Sequence, residues 1–300
     1  VATELKNQLS DWQGKGPDVQ VNTGKMTAKP GTIYLLDKPD APQSEIRIGK
    51  RSITEDITGE FYRAGLMNFV LGGNFNSRIN LNLREEKGYT YGAYSSIGAD
   101  KLVATISANA SVRTEVTDSA VYEFVYEIKN LVENGVTEEE LAKAKAELSG
   151  SFGRSLEQPA TVANFALNID RYKLPKDYYA TYLQKLNALT VADINATAKR
   201  LIDPDKFIIT TVGNGAEIKE KLAKFGEVIE YNNMGEPAKQ LVADADLIFC
   251  LDYNSADRVG KDMQPLLEAA TGQKIMIDHH LNPSDLCSIV LSNIIKTLDG

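Results

Sequence analysis

The sequence predicts an α+β fold, an antiparallel sheet covered by helices, followed by a small partial α/β segment of βαβ type. Three observations carry this. Strand-period signals gather before residue 107, the pattern is helical almost throughout 115–202, and an apolar run at 207–212 then returns as a strand. Beyond a polar Gly/Pro-bearing stretch at 232–237, two continuous apolar runs flank a helical stretch, the pattern of a parallel βαβ unit with its right-handed crossover.

Taken in order, Leu5, Leu9 and Trp12 have helical spacing and stop at the breaker Gly14-Lys15-Gly16-Pro17. Strands are expected at 32–36 and 45–48, separated by Asp37-Lys38-Pro39-Asp40-Ala41-Pro42. Residues 60–86 read as helix interrupted at Gly72-Gly73, and the alternation at 89–94 and 102–106 reads as two more strands. Thr137 with Glu140, and Thr190 with Asp193, each place a hydroxyl cap and an acid three residues on, the capping-box pattern. Pro159 and Pro175 mark breaks between helices. A helix near 215–225 and a short strand at 228–230 close this region, so the expected division is 1–234, a junction at 235–243, and 244–300. In the last part 247–251 and 274–277 are the expected strands, and the apolar run at 289–291 suggests one more element.

The 300 residues are 43% hydrophobic, enough for one large core or two ordinary ones. No apolar run approaches the roughly 20 residues of a membrane span, so a soluble chain is expected. With 33 Lys+Arg against 41 Asp+Glu, the net charge of -8 argues against nucleic acid or an anionic bilayer as partner. The two cysteines, Cys250 and Cys287, form no disulfide framework and are expected buried, reduced and inert. The opening residues have neither a start methionine nor a signal-peptide pattern, which suggests a fragment or a trimmed chain.

The most specific segment is Leu71-Gly72-Gly73-Asn74-Phe75-Asn76-Ser77-Arg78, running into Leu83-Arg84-Glu85-Glu86-Lys87-Gly88-Tyr89-Thr90-Tyr91. Its glycine pair, helix, Arg-Glu and Gly-x-x-Tyr resemble the C-terminal, zinc-free half of the insulinase/pitrilysin-type metallopeptidases, and the element order from 1 to about 236 fits that half. The resemblance implies two related halves closing around an unfolded peptide, one carrying His-x-x-Glu-His and zinc. The other half supplies an arginine and a tyrosine seven residues apart, which Arg84 and Tyr91 match; by resemblance they contact substrate and help to stabilise the intermediate. Physical chemistry supports the assignment, because a peptide carbonyl under attack develops an oxyanion that guanidinium and phenol donors can receive. Taken singly, Arg84 reads as an exposed helix arginine and Tyr91 as a half-buried strand residue. The edge near 91–96 could also accept an extended peptide by main-chain pairing.

Zinc needs histidines one helical turn apart, whereas the only two histidines, His279 and His280, are adjacent and lie outside this region. Cleavage therefore needs a zinc-bearing partner half, upstream in the same polypeptide or as a separate subunit, and the chain alone is expected to bind peptide without cutting it.

In the C-terminal segment, strand ends would bring Asp252 together with Asp278, His279 and His280. The runs at 246–254 and 274–280 resemble two motifs of the DHH phosphoesterases. By that resemblance Asp252 and His279 would be metal ligands, usually of manganese, with His280 near phosphate and Asp278 supporting the site. The family's earlier Asp-rich motif, later aspartate and substrate-binding domain have no counterpart, so the site is expected to be incomplete. Two alternatives to the peptide-binding half follow: an inert scaffold of the same peptidase family, or a fragment of a manganese-dependent phosphoesterase acting on short nucleotides. The compartment stays open, a periplasmic setting suiting the peptidase part and a cytoplasmic one the DHH part.

Overall fold

Alternation of buried and exposed residues builds the sheet. In β2 (Gln43–Ser52) Ser44, Ile46 and Ile48 are buried while Gln43, Glu45 and Arg47 are exposed. In β4 (Ala104–Arg113) Ala104, Ile106, Ala108, Ala110 and Val112 are buried in the same rhythm. One face therefore packs inward and the other stays polar, as a period of two requires. The computed structural model describes residues 2–11, 28–54, 59–98, 100, 102–230, 235–280 and 282–292. Two compact units emerge, Val1–Tyr231 and Asn232–Gly300.

In the first unit, β1 (Thr32–Asp37), β2, β3 (Ala93–Ile97), β4, β5 (Ile208–Gly213) and β6 (Glu227–Glu230) form one sheet of order β3-β4-β2-β5-β1-β6. Pairing is antiparallel from β3 to β5, as expected, but β1 runs parallel to both β5 and β6. The sequence pattern could not show this, since a strand reads alike in either direction. Helices cover the sheet, so the α+β reading holds.

The short α1 (Ala2–Gln8) precedes the sheet, while the Trp12 and Gly14–Pro17 signals fall outside the described residues. The helices are α2 (Glu60–Leu71), α3 (Arg78–Asn80), α4 (Thr117–Asn134), α5 (Glu138–Ser155), α6 (Pro159–Tyr172), α7 (Tyr182–Ala188), α8 (Val191–Leu201) and α9 (Gly215–Leu222). The core joins Ile33, Ile46, Ile48 and Ile106 of the sheet to Leu66 and Met67 of α2, Phe124 and Ile128 of α4, and Ile194 of α8. Both capping boxes form, Thr137 with Glu140 at α5 and Thr190 with Asp193 at α8, each satisfying two end donors reciprocally.

Two strand expectations shift. Residues 89–92 are not strand, and β3 begins at Ala93; β4 likewise begins at Ala104 rather than 102. A Gly72 at the end of α2 lets the chain pass against β3, donating through the backbone to Asn68 and accepting from Ser95 N at 2.8 Å. A Cβ at Gly72 would stand 2.5 Å from Ser95 N and 2.8 Å from Ser95 Cβ. Gly72→Ala is therefore expected to destabilise the unit by about 2 kcal/mol or more, read as a lower midpoint in urea with an unchanged slope.

The second unit holds α10 (Gly235–Asp244), β7 (Leu247–Leu251), α11 (Gln264–Ala269), β8 (Gln273–Asp278) and β9 (Ile289–Ser292), with the strands in order β7-β8-β9 and all parallel. The stretch at 235–243 read as a junction is thus mostly the helix α10, a pattern that Gly235 and Pro237 at its start concealed. Cys250, Ala256, Leu267, Met276 and Cys287 form its small core. Both thiols are buried and free, with their sulfurs 3.5 Å apart. Burial, and then the Cys250 neighbour, push the Cys287 thiol up to about 11, which keeps it protonated and unreactive at neutral pH.

Candidate functional site

Arg84 lies in a wide, π-type turn, Leu81–Glu86, that continues α3. The turn ends where Lys87 N reaches Asn82 O at 3.0 Å and Tyr89 N reaches Leu83 O at 2.9 Å. Such widened turns recur at functional positions. Gly88, at φ 63, supplies the left-handed residue that turns the chain away from the helix. Three residues later Tyr91 stands 93% exposed, the phenol projecting into solvent rather than half-buried in a strand.

Arg84 is not a loose surface side chain. Its Nη1 donates to Glu85 Oε1 at 2.8 Å, and its guanidinium carbon sits 4.4 Å from the centre of the Phe75 ring. An exposed pair of this kind contributes at most about 1 kcal/mol, so an incoming acceptor can displace Glu85 while the ring still orients the guanidinium.

Arg84 and Tyr91 line one cleft of about 510 Å³, together with Gln43, Tyr89, Ser111 and Arg113. Gln43 and Arg113 face one another in the β2–β4 register, both on the polar side of the sheet. Arg113 donates from Nη1 to Gly88 O at 2.8 Å and from Nε to Glu115 at 2.7 Å. It thereby braces the turn that carries Tyr91. The Glu115 carboxyl is held below the usual range by backbone hydrogen bonding and then by Arg113.

The β3 edge offers no strand-addition site over 93–95. β3 ends the sheet, yet Ala93 N donates to Asn80 Oδ1 at 3.0 Å, Ser95 N donates to Gly72 O at 2.8 Å, and Asn68 Nδ2 donates to Ser95 O at 3.1 Å. These three main-chain groups are thereby withdrawn from pairing with an added strand.

The first unit contains no histidine, and a guanidinium and a phenol do not make a zinc donor set.

In the second unit, the strand ends do bring the expected residues together. Ligand atoms of Asp252, Asp278, His279 and His280 all lie within 4.8 Å of one another. Asp252, at φ 61 just after β7, donates its N–H to Ile277 O at 3.0 Å and accepts an Nδ1 contact from His279 at 3.2 Å. Asp278 is buried and engaged to His280, with Oδ1 2.6 Å from Nδ1 and Oδ2 accepting from His280 N at 3.2 Å. Burial pushes its carboxyl up, but the His280 ring and the two backbone N–H groups outweigh this and hold it below the usual range. Asp252 and His279 are left outward-facing.

The fold agrees with what known proteins show. Residues 2–148 match the family model of the peptidase M16 inactive domain. The chain is 25% identical over 175 residues to the "non-peptidase homolog YmxG" of Helicobacter pylori, covering 58% of this chain and 40% of that protein. It is 27% identical over 211 residues to the "uncharacterized zinc protease YmxG" of Bacillus subtilis, covering 68% of this chain and 50% of that protein. A solved M16 inactive domain from Pseudomonas fluorescens superposes with a TM-score of 0.62 at 25% identity, over 71% of this chain and 50% of that one. The chain thus spans half or less of these relatives' length. The matched description, an inactive domain of M16 peptidases, agrees in kind with the resemblance carried by residues 71–91.

Sequence reasoning missed Asn80, Arg113 and the role of Phe75. Asn80 carried one legible signal, an amide between Ile79 and Leu83 on the buried side of a helix. Arg113 carried none, because its contact with Gly88 crosses 25 residues.

Proposed function

We propose that the first unit is the non-catalytic, substrate-binding half of a zinc metallopeptidase, binding extended peptide in the Arg84–Tyr91 cleft and completing the site of a zinc-bearing half. The observation that carries this reading is one cleft lined by an exposed phenol and a ring-stacked guanidinium, on a domain matching the M16 inactive type. The chain's own residues bind the peptide and present donors to a carbonyl oxygen, and bond cleavage belongs to the other half. Fluorescence anisotropy with a labelled unstructured peptide should show saturable binding to the chain alone, weakened about tenfold by Arg84→Ala. Absence of saturable binding by the unaltered chain would instead favour an inert scaffold, a role consistent with the non-peptidase name of the Helicobacter relative.

We propose a second reading for the C-terminal unit, favoured by the convergence of Asp252, Asp278, His279 and His280. With Asp278 committed to His280, Asp252 and His279 are the residues that would hold manganese, and His280 with Asp278 would face a phosphate. Two outward ligands make a weak, incomplete seat. The family match stops at residue 148, so this reading rests on the residues alone. Titration calorimetry should detect weak manganese binding that disappears in His279→Ala; identical heats from both proteins would remove the site.

A further inference from the structure

Arg84 and Tyr91 sit on different backbone segments, and one buried side chain touches the supports of both. Asn80 is fully buried, at 0% exposure. Its Nδ2 donates to Phe75 O at 2.7 Å, and its Oδ1 accepts from Ala93 N at 3.0 Å. Phe75 is the residue whose ring lies under the Arg84 guanidinium. Ala93 is the first residue of β3, two positions after Tyr91.

The segment bearing Tyr91 is fastened at both ends. At its start Gly88 O accepts from Arg113 and Tyr89 packs partly against the core. In its middle Thr90 Oγ1 donates to Gly92 O at 2.9 Å and accepts from Gly92 N at 3.1 Å. At its end Asn80 holds Ala93. An exposed phenol on a strapped backbone is preorganised, which is what a donor aimed at developing charge requires.

We propose that Asn80 is a positioning residue that sets Arg84 and Tyr91 in register with each other. One amide fixes the loop under the guanidinium and the strand beside the phenol, so the two donors keep a common geometry before any peptide arrives. An amide suits this place because it offers a donor at one end and an acceptor at the other, both used here. The functional consequence rests on the peptide-binding reading given above; the coupling itself does not.

The test compares the full chain with Asn80→Ala well below the melting temperature of each. In the unaltered chain the Arg84 side-chain resonances should carry a ring-current shift from Phe75, whose ring centre lies 4.4 Å from the guanidinium carbon, and residues 89–92 should have amide order parameters near the rigid-backbone value of about 0.85. In Asn80→Ala the Arg84 shift should collapse toward its solvent value and the order parameters at 89–92 should fall below about 0.6. Peptide affinity should drop about tenfold or more, and adding Arg84→Ala should lower it little further. A purely structural amide would lower the melting temperature and leave the Arg84 shift and the 89–92 order as they were. That result overturns the proposal, as does a change in only one of the two segments. Should Asn80→Ala not fold, Asn80→Ser, whose hydroxyl is too short to serve both partners, is read in the same way. Failure of both to fold assigns Asn80 to stability alone and overturns the proposal. If the unaltered chain binds no peptide, the peptide-binding reading falls while the resonance comparison still decides the coupling.

Discussion

Tyr91→Phe and Arg84→Ala should each lower kcat of an enzyme reconstituted with a zinc-bearing half by about 10²-fold, with a smaller change in KM. Removing one donor aimed at an oxyanion typically costs 10²- to 10³-fold, about 3–4 kcal/mol. The Tyr91 ring is 93% exposed and makes little of the fold, so deleting its hydroxyl leaves packing intact. Arg84 is held by Phe75 and Glu85, each itself half exposed. Unchanged melting temperatures beside a selective fall in kcat would place both groups at the reacting carbonyl. A rise in KM with kcat untouched would mean that they only grip the peptide.

Arg78, whose side chain is 14% exposed, pairs with Glu140 through Nε at 2.6 Å and Nη2 at 2.7 Å, and Nη2 also donates to Gly135 O at 2.7 Å. Its Nη1 is buried without a hydrogen-bond partner among the described residues. Glu140 also closes the α5 capping box, so a single carboxylate fastens the start of α3 to the start of α5. Glu140→Ala would leave a largely buried guanidinium uncompensated and is expected to cost about 2–4 kcal/mol, read from urea unfolding. Burial pushes the Glu140 carboxyl up, but hydrogen bonds from Arg78 and from the Thr137 backbone outweigh this and hold it below its ordinary 4.5. A depressed carboxylate contributes stability above its unfolded pKa and loses it as pH falls through the folded value. The unaltered chain should therefore lose stability on acidification below about pH 4.5, and Glu140→Gln should show a shallower fall over that window.

Much of this was legible in the sequence where the signal is local. Thr137 with Glu140 and Thr190 with Asp193 read as capping boxes and form them, because three residues suffice to define the motif. The Arg84–Tyr91 spacing survives folding because both residues line one cleft only seven positions apart. What failed was non-local. Tyr89 to Gly92 alternate like a strand, yet Gly88 at positive φ and the Thr90–Gly92 hydrogen bonds hold them in a turn. The parallel placement of β1 beside β5 and β6 depends on connections more than 170 residues long, which periodicity does not register. The amide of Asn80 shows locally only as a polar residue on the buried side of a helix, because its two partners lie five residues back and thirteen ahead.

The C-terminal unit shows the same division. Strand ends predicted that Asp252 and the Asp278–His280 group would meet, and they do. That Asp278 is buried and spent on His280, rather than open to an ion, follows only from the side-chain geometry.

If peptide binding and peptide cleavage reside in different halves, one assay reads the division directly: release of a fluorescent product from a quenched peptide, at saturating zinc, by the purified chain with and without a zinc-bearing M16 half. No turnover by the chain alone and zinc-dependent turnover on mixing, beyond that of the other half by itself, is the predicted result. Zinc-dependent cleavage by the chain on its own, with contaminating protease excluded, would contradict it.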